Sequence, residues 1–387
     1  MLDLDRFIER RGTDSTKWNR YGPDVLPLWV ADMDFRVPEP VIQALRERVE
    51  HGIFGYPMEP PALREVIIER LERLYGWRVS PEALLFIPGV VRGFNLACHA
   101  IGQEGDGVLM QTPVYYPMLA APANARRTLV TMELSQADDG SYYVDYDRME
   151  ATFTPRTRLF ILCNPHNPVG RVFRREELER MAEICLRHDV IICSDEIHCE
   201  LLFSGHRHIP IATLSPEVER RTITLMAPSK TFNIAGLHCS VVIIPHEPLR
   251  RQFVGAFQGL VASVEIMGYV AALAAYRYGD PWLREVLAYL EGNRDYLADY
   301  VARFLPGLRM TKPEGTYLAW LDCRAAGLPQ DPFTFFLEKA RVALNDGAAF
   351  GQGGQGFVRL NFACPRATLD EALARMRTAL EATQKAG

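Results

Sequence analysis

Lysine is scarce in this chain: it occurs at positions 17, 230, 312, 339 and 385 alone, while lysine and arginine together number 43. Where a positive charge suffices, the chain uses arginine. A lysine inside an apolar, glycine-punctuated stretch therefore asks for a chemical reason, because an amine forms an imine and a guanidinium does not. Long apolar runs are also missing, none approaching the ~18 residues of a membrane span. The opening Met1-Leu2-Asp3-Leu4-Asp5-Arg6 is acidic and lacks the basic-then-apolar build of a signal peptide. Basic excess is absent too: the net charge is −5, which argues against a nucleic-acid or anionic-membrane partner. A cytoplasmic protein is expected. Eight cysteines, at 98, 163, 185, 193, 199, 239, 323 and 364, include no Cys-x-x-Cys pair. Several lie in apolar runs such as Leu159-Phe160-Ile161-Leu162-Cys163, so buried, reduced thiols are expected. Gly205-His206-Arg207-His208 has no second cluster at ligand spacing; it reads as a surface turn, and no metal is expected.

What is present is a chain of 387 residues, long enough for two or three domains and a large core. Short apolar runs at 83–87, 107–111, 127–133, 158–163, 190–194, 222–226 and 240–244 alternate with helical patterns. Between the fourth and fifth, residues 174–188 place Leu178, Met181, Ala182 and Cys185 on one helical face. Runs apolar on both faces and separated by helices predict an α/β sandwich around a mostly parallel sheet. A long helix is expected from Asp280-Pro281 to about Phe304, followed by strands at 315–321 and 357–362 around a helix near 332–342. The first 45 residues look irregular and Pro-rich. The expected division is a segment 1–45 packed beside the small domain, a large domain 46–281, and a smaller α+β domain 282–387.

Candidate chemistry gathers at strand ends. Ala227-Pro228-Ser229-Lys230 follows the run 222–226, and Asp195 closes the run 190–194; in open α/β sheets ligands sit at that carboxyl edge. Asp195 there either pairs with a cation, such as the protonated nitrogen of a pyridine ring, or caps the following segment. Asn164-Pro165-His166-Asn167-Pro168-Val169-Gly170 is a rigid turn whose asparagine can donate to an anionic oxygen. In Pro88-Gly89-Val90-Val91-Arg92-Gly93, backbone N–H groups at a helix start could cradle a phosphate. Tyr115, in Thr112-Pro113-Val114-Tyr115-Tyr116-Pro117, could stack on an aromatic ring or simply fill the core.

These motifs together with Gly55-Tyr56-Pro57, Ser194-Asp195-Glu196 and Phe357-Val358-Arg359-Leu360 follow one another as they do in a known family. The chain resembles the fold-type I pyridoxal 5′-phosphate (PLP) enzymes of the class I/II aminotransferase group over nearly its full length. The resemblance implies a large domain with a mostly parallel seven-stranded sheet and a smaller α+β domain. It makes Lys230 the lysine that bonds PLP as a Schiff base and acts as catalytic base, with Asp195 on the ring nitrogen and Tyr115 on the ring face. Asn167 would bond the phenolic oxygen, and Val90, Val91 and the partner subunit's Tyr56 the phosphate; with His238 in place of an arginine, the phosphate's second charge is expected to fall to Ser229 and backbone N–H groups. Arg359 would clamp an amino-acid carboxylate, with Ala31 and Asn167 beside it, in a homodimer with shared sites.

Two positions depart from the aminotransferase pattern. His198 stands where that group has tyrosine, in the cofactor site, and His238 stands where it has a phosphate-binding arginine. With Leu28-Trp29-Val30-Ala31-Asp32-Met33-Asp34-Phe35 and Asn361-Phe362-Ala363-Cys364-Pro365-Arg366, they resemble the MalY/PatB subfamily of C–S β-lyases, which act on cystathionine and cysteine S-conjugates. Pyruvate, ammonia and a thiol are the expected products. The alternatives are an aminotransferase, which shares the chemistry up to Cα deprotonation, and a regulator acting through protein contact.

Overall fold

A computed structural model describes residues 2–257 and 259–386. Its main sheet has seven strands: β1 (Leu84–Ile87), β2 (Gly107–Thr112), β3 (Thr128–Glu133), β4 (Thr157–Cys163), β5 (Ile191–Asp195), β6 (Thr222–Met226) and β7 (Ser240–Ile243). Their order across the sheet is β1-β7-β6-β5-β4-β2-β3. β7 runs antiparallel to both of its neighbours, and the other pairings are parallel. All seven predicted runs become strands, with ends shifted by at most one residue.

Side chains alternate across a strand, and the core divides accordingly. Val108, Met110, Leu159, Ile161 and Cys193 face one apolar cluster, while Leu109, Phe160, Leu162 and Ile192 face another. Helix α1 (Val90–Ala100) covers the first face and α2 (Arg175–Arg187), the predicted amphipathic helix, the second. Gly93 lets α1 lie close to the sheet, since a Cβ there would come within 2.9 Å of Leu225.

Helix α3 (Asp280–Phe304) spans the predicted stretch. A second, antiparallel sheet follows, with order β8-β9-β11-β10, from β8 (Arg309–Met310), β9 (Leu318–Asp322), β10 (Asn345–Asp346) and β11 (Phe357–Asn361). β9 starts later than the sequence pattern predicts because Thr316 has a positive φ of 72°, which strand backbone cannot adopt. The helix expected near 332–342 is a single α turn, Pro332–Phe335, continuing into a π turn, Phe336–Ala340. The N-terminal stretch is less irregular than expected, for a helix occupies Glu39–His51. Its Pro40 lies in the first turn, where a missing N–H costs no hydrogen bond. Leu26–Pro27 pairs in parallel with Val342–Ala343, and Asn361 N–H donates to Leu28 O, joining this stretch to the second sheet.

Candidate active site

The parallel strands β2, β4, β5 and β6 end on the same edge of the sheet, together with β1. There a cavity of about 310 Å³ opens, lined by Lys230, Asp195, Asn167, Tyr115, His198 and Arg359 among others. Val90, Val91, Ser229 and Ala31 line it as well. Thus every predicted site residue except Tyr56 meets at one place, although the chain separates Ala31 from Arg359 by most of its length.

Lys230 follows β6, in a short helical turn Pro228–Thr231. Its Nζ donates to Ala31 O at 2.7 Å, and the Tyr317 hydroxyl donates to the same oxygen at 2.9 Å. Burial lowers the Lys230 ammonium to about 8, and the Arg359 charge works in the same direction against the pull of Asp32 and Asp195. At neutral pH this amine loses its proton far more readily than an exposed lysine. Asp195 ends β5 with its side chain 4% exposed. Its Oδ1 accepts from Ile197 N–H at 3.1 Å, so it caps a turn as well as facing the cavity. Burial pushes its carboxyl up to about 7. A cation placed against it would restore full ionisation.

Arg359 stands on β11 and is 2% exposed. It donates to Asn167 Oδ1 at 2.9 Å, Trp29 O at 3.0 Å and Asn345 Oδ1 at 2.5 Å. Asn345 is its cross-strand partner on β10, which explains a contact that no motif announces. No carboxylate of the described residues pairs with Arg359, and its Nε has no partner. Burial brings the guanidinium down to about 10, which leaves it charged at neutral pH. A buried unpaired cation costs several kcal/mol, offset here only by neutral oxygens. It is an anion receptor.

The turn after β4 is tied to the turn after β2. Tyr115 N–H donates to Asn167 O at 3.0 Å, and His166 Nε2 lies 2.8 Å from Pro113 O. Bonding to a carbonyl makes Nε2 the protonated nitrogen, and burial holds the His166 ring down at about 4, hence neutral. His198 is buried at the cavity floor with its Nδ1 unpartnered; burial first, then the Lys230 and Arg359 charges, keep it well below the usual range. At the opposite rim Gly89, with φ of 122°, turns the chain into α1. The first N–H groups of a helix have no internal acceptor, and those of Val90 and Val91 begin this one. Ser240 Oγ, buried and unpartnered, also lines the cavity, as does the exposed His238. These features suit a flat heterocycle carrying a phosphate: an amine, a carboxylate, an aromatic face at Tyr115 and a helix start.

Tyr56 stands apart, fully exposed between Phe54 and Met58, which are 56% and 83% exposed. Sequence reasoning missed Trp29, Arg92 and Tyr116, all of which line the cavity, and Tyr317, which bonds at its edge. It also misread His208. His206 is on the surface, but His208 is 1% exposed, with Nε2 2.7 Å from Glu196 Oε2. Polar neighbours made the segment look like a turn; its partner is the buried carboxylate next to Asp195.

The sequence matches the family aminotransferase class I and II over residues 23–376. Cystathionine beta-lyase PatB of Bacillus subtilis is 42% identical over 389 residues, covering 98% of this chain and all of that protein. The crystal structure of cystalysin from Treponema denticola, which contains a pyridoxal 5′-phosphate cofactor, superimposes with a TM-score of 0.95. Its identity is 31%, over 99% of this chain and 100% of that one. The PLP-bound C–S lyase from Staphylococcus hominis has a TM-score of 0.92 and 34% identity, over 98% of each chain.

Proposed function

The chain belongs to the aminotransferase class I and II family, and from that premise we propose that it is a PLP-dependent C–S β-lyase. It cleaves cystathionine or a related cysteine S-conjugate to pyruvate, ammonia and a thiol. The observation that carries an amino-acid substrate is the unpaired Arg359 facing Lys230 and Asp195 across one cavity. The direction toward carbon–sulfur cleavage follows the lyases among its relatives.

PLP supplies an electron-accepting ring, which makes the substrate Cα–H acidic. The roles of the chain's own residues follow from where they sit. Lys230 Nζ is the attachment amine and then the base that takes the Cα proton, for which its lowered pKa suits it. Asp195 would hold the proton on the ring nitrogen, and beside that cation it would be ionised. Arg359 takes the α-carboxylate in its fork and fixes which Cα bond faces Lys230. Asn167, already bonded to Arg359, would hold the ring oxygen, and Tyr115 would cover the ring. Val90, Val91, Ser229 and Ser240 would hold the phosphate, with Arg92 at the same rim offering a positive charge.

The working unit is a homodimer in this reading. Ile53, Phe54, Tyr56 and Met58 form an exposed apolar run beside two helices, a surface that calls for a cover. Tyr56 would reach the partner's phosphate. All eight cysteines are buried and unpaired, which supports a reducing compartment, the cytoplasm; no helix of the described residues is long and apolar enough to cross a membrane. The test of the reaction is direct: the purified PLP-loaded protein is given cystathionine with no keto acid. Pyruvate and homocysteine in equal amounts support the lyase. Turnover that requires an added keto acid makes the protein an aminotransferase instead.

A further inference from the structure

A second lysine is more deeply buried than Lys230, and the proposed chemistry does not use it. Lys17 is 1% exposed, yet its Nζ lies 2.7 Å from Asp34 Oδ2, 3.5 Å from Asp32 Oδ1 and 3.3 Å from Asp32 O. Arg10 enters the same cluster, 2.9 Å from Asp32 Oδ2 and 2.6 Å from Asp34 Oδ1. Trp18 Nε1 also donates to Asp34, at 2.8 Å. Two cations thus face two carboxylates in a mostly buried place, and the group as a whole is neutral.

That cluster lies on the segment that receives Lys230. Along residues 30–35 nearly every carbonyl is held. Asn361 Nδ2 donates to Val30 O and Asp32 O, both at 2.6 Å. Asn233 Nδ2 donates to Met33 O at 3.0 Å and Phe35 O at 2.9 Å, while its Oδ1 accepts from Met33 N–H. Ala31 O, between these anchors, takes Lys230 Nζ and the Tyr317 hydroxyl. The segment is pinned by the N-terminal stretch, by the turn after β6 and by the second sheet. Its Ala31 carbonyl is therefore held on the amine, and the Asp32 carboxylate, one residue along, is held in place by Arg10 and Lys17.

We propose that Asp32, fixed by Arg10 and Lys17, is a positioning residue that sets the protonation of the Lys230 amine. This rests on the reading of Lys230 as the base. The charged or titratable groups around that amine are Asp32, Asp195, Arg359, His198 and the Tyr317 hydroxyl, with Tyr115 in the same cavity. Of these, Asp32 is the strongest influence favouring the charged amine, against burial and against Arg359. Asp32 itself stays ionised: burial works to raise its pKa, but the Arg10 bond and the charges of Lys17, Arg10 and Lys230 outweigh it. The N-terminal segment thereby keeps Lys230 from falling so far that it can no longer hold the proton it has taken.

The small number of lysines makes the idea measurable. Full-length protein stripped of PLP and labelled at lysine gives five side-chain signals by NMR, and loss of one in Lys230→Ala assigns Lys230 without any turnover. Asp32→Asn removes the negative charge, so the Lys230 midpoint should fall by roughly one pH unit. Mere loosening of the segment would admit water and raise the midpoint toward the ordinary lysine value. A midpoint that rises or stays in Asp32→Asn overturns the proposal. Should that variant fold poorly, Arg10→Gln, at the more exposed rim of the cluster, leaves an excess negative charge. It should raise the midpoint; no change there overturns the proposal equally. The titration needs no substrate, so it fails or succeeds independently of whether pyruvate forms.

Discussion

Replacing Arg359 with lysine keeps a cation in place while removing the fork, and the structure says what that should cost. The guanidinium makes three donor contacts to oxygen, through Nη1 to Asn167 and Nη2 to Trp29 and Asn345, and leaves Nε free. A lysine ammonium cannot satisfy these oxygens and present two parallel N–H groups to a carboxylate. One charge-assisted hydrogen bond lost in the complex is worth about 1.5–3 kcal/mol, so kcat/KM should fall roughly ten- to hundredfold. Burial has already brought Arg359 from 12.5 down to about 10. The same burial acting on a lysine would bring it to roughly 8. The variant's kcat/KM should therefore decline above about that pH, where the wild-type arginine remains charged.

The assay is thiol release from a cysteine S-conjugate over pH 6.5–9.5, run beside the same S-conjugate with its α-carboxylate replaced by a carboxamide, since the acid and the amide leave different three-carbon products but the same thiol. If Arg359 binds the carboxylate, the substitution should harm the acid strongly and the amide little. That difference isolates the pair from any general disturbance of the site. Equal losses for acid and amide, or an unchanged kcat/KM for the acid, would refute the assignment and move the carboxylate elsewhere.

Other residues give separate tests. Lys230→Ala should leave cofactor held only noncovalently and slow turnover by at least ~10²–10⁴-fold; near-wild-type rates would remove Lys230 from the chemistry. Asp195→Asn keeps an acceptor but not a charge, so PLP should still bind while turnover drops ~10²-fold or more; an unchanged rate would reduce the residue to the cap on Ile197. Mixing Tyr56→Phe with Lys230→Ala subunits should restore activity that neither variant shows alone, and failure despite demonstrated exchange argues against a shared site. His166 is held near 4 in the folded chain against ~6.5 unfolded. The unfolded chain takes up the proton first, so stability is full above 6.5 and declines as pH falls toward 4, by about 3 kcal/mol. His166→Asn should flatten that decline in denaturant titrations, and an unaltered slope would show that another group carries it.

The central strands were legible because they are buried on both faces; Leu159 through Cys163 is apolar at every position, and such a run suits the centre of a parallel sheet, whereas the edge strand Thr128–Glu133 is half exposed. Strand ends were legible as chemistry for a related reason. A lysine, an aspartate or an asparagine next to a buried strand has nowhere to go except the sheet's carboxyl edge. His208 shows the limit of that logic. Its neighbours Gly205, His206 and Arg207 are exposed, and only the long-range bond to Glu196 makes burial affordable. Asn345 likewise meets Arg359 through strand register, and Thr316 stops β9 through a backbone angle, neither of which leaves a periodic trace in the sequence.

The scarcity of lysine worked differently from either. It did not locate a site; it asked what an amine could do that a guanidinium could not. For Lys230 the reply is covalent chemistry. For Lys17 no bond to a cofactor is in prospect, and the reply is space: a compact ammonium fits between two carboxylates and a carbonyl where a planar fork, already represented by Arg10, would not. Both lysines end on the one stretch from Ala31 to Asp34. A stretch that must hold the amine of one and absorb the charge of the other cannot vary freely at Asp32 or Asp34. Loss of either carboxylate leaves Lys17 or Arg10 under-paired in a buried place, at a cost of a few kcal/mol, and changes the charge that Lys230 feels. The resemblance of Leu28–Phe35 to a lyase subfamily thus has a physical counterpart, because this is the stretch through which the N-terminal segment bears on the base.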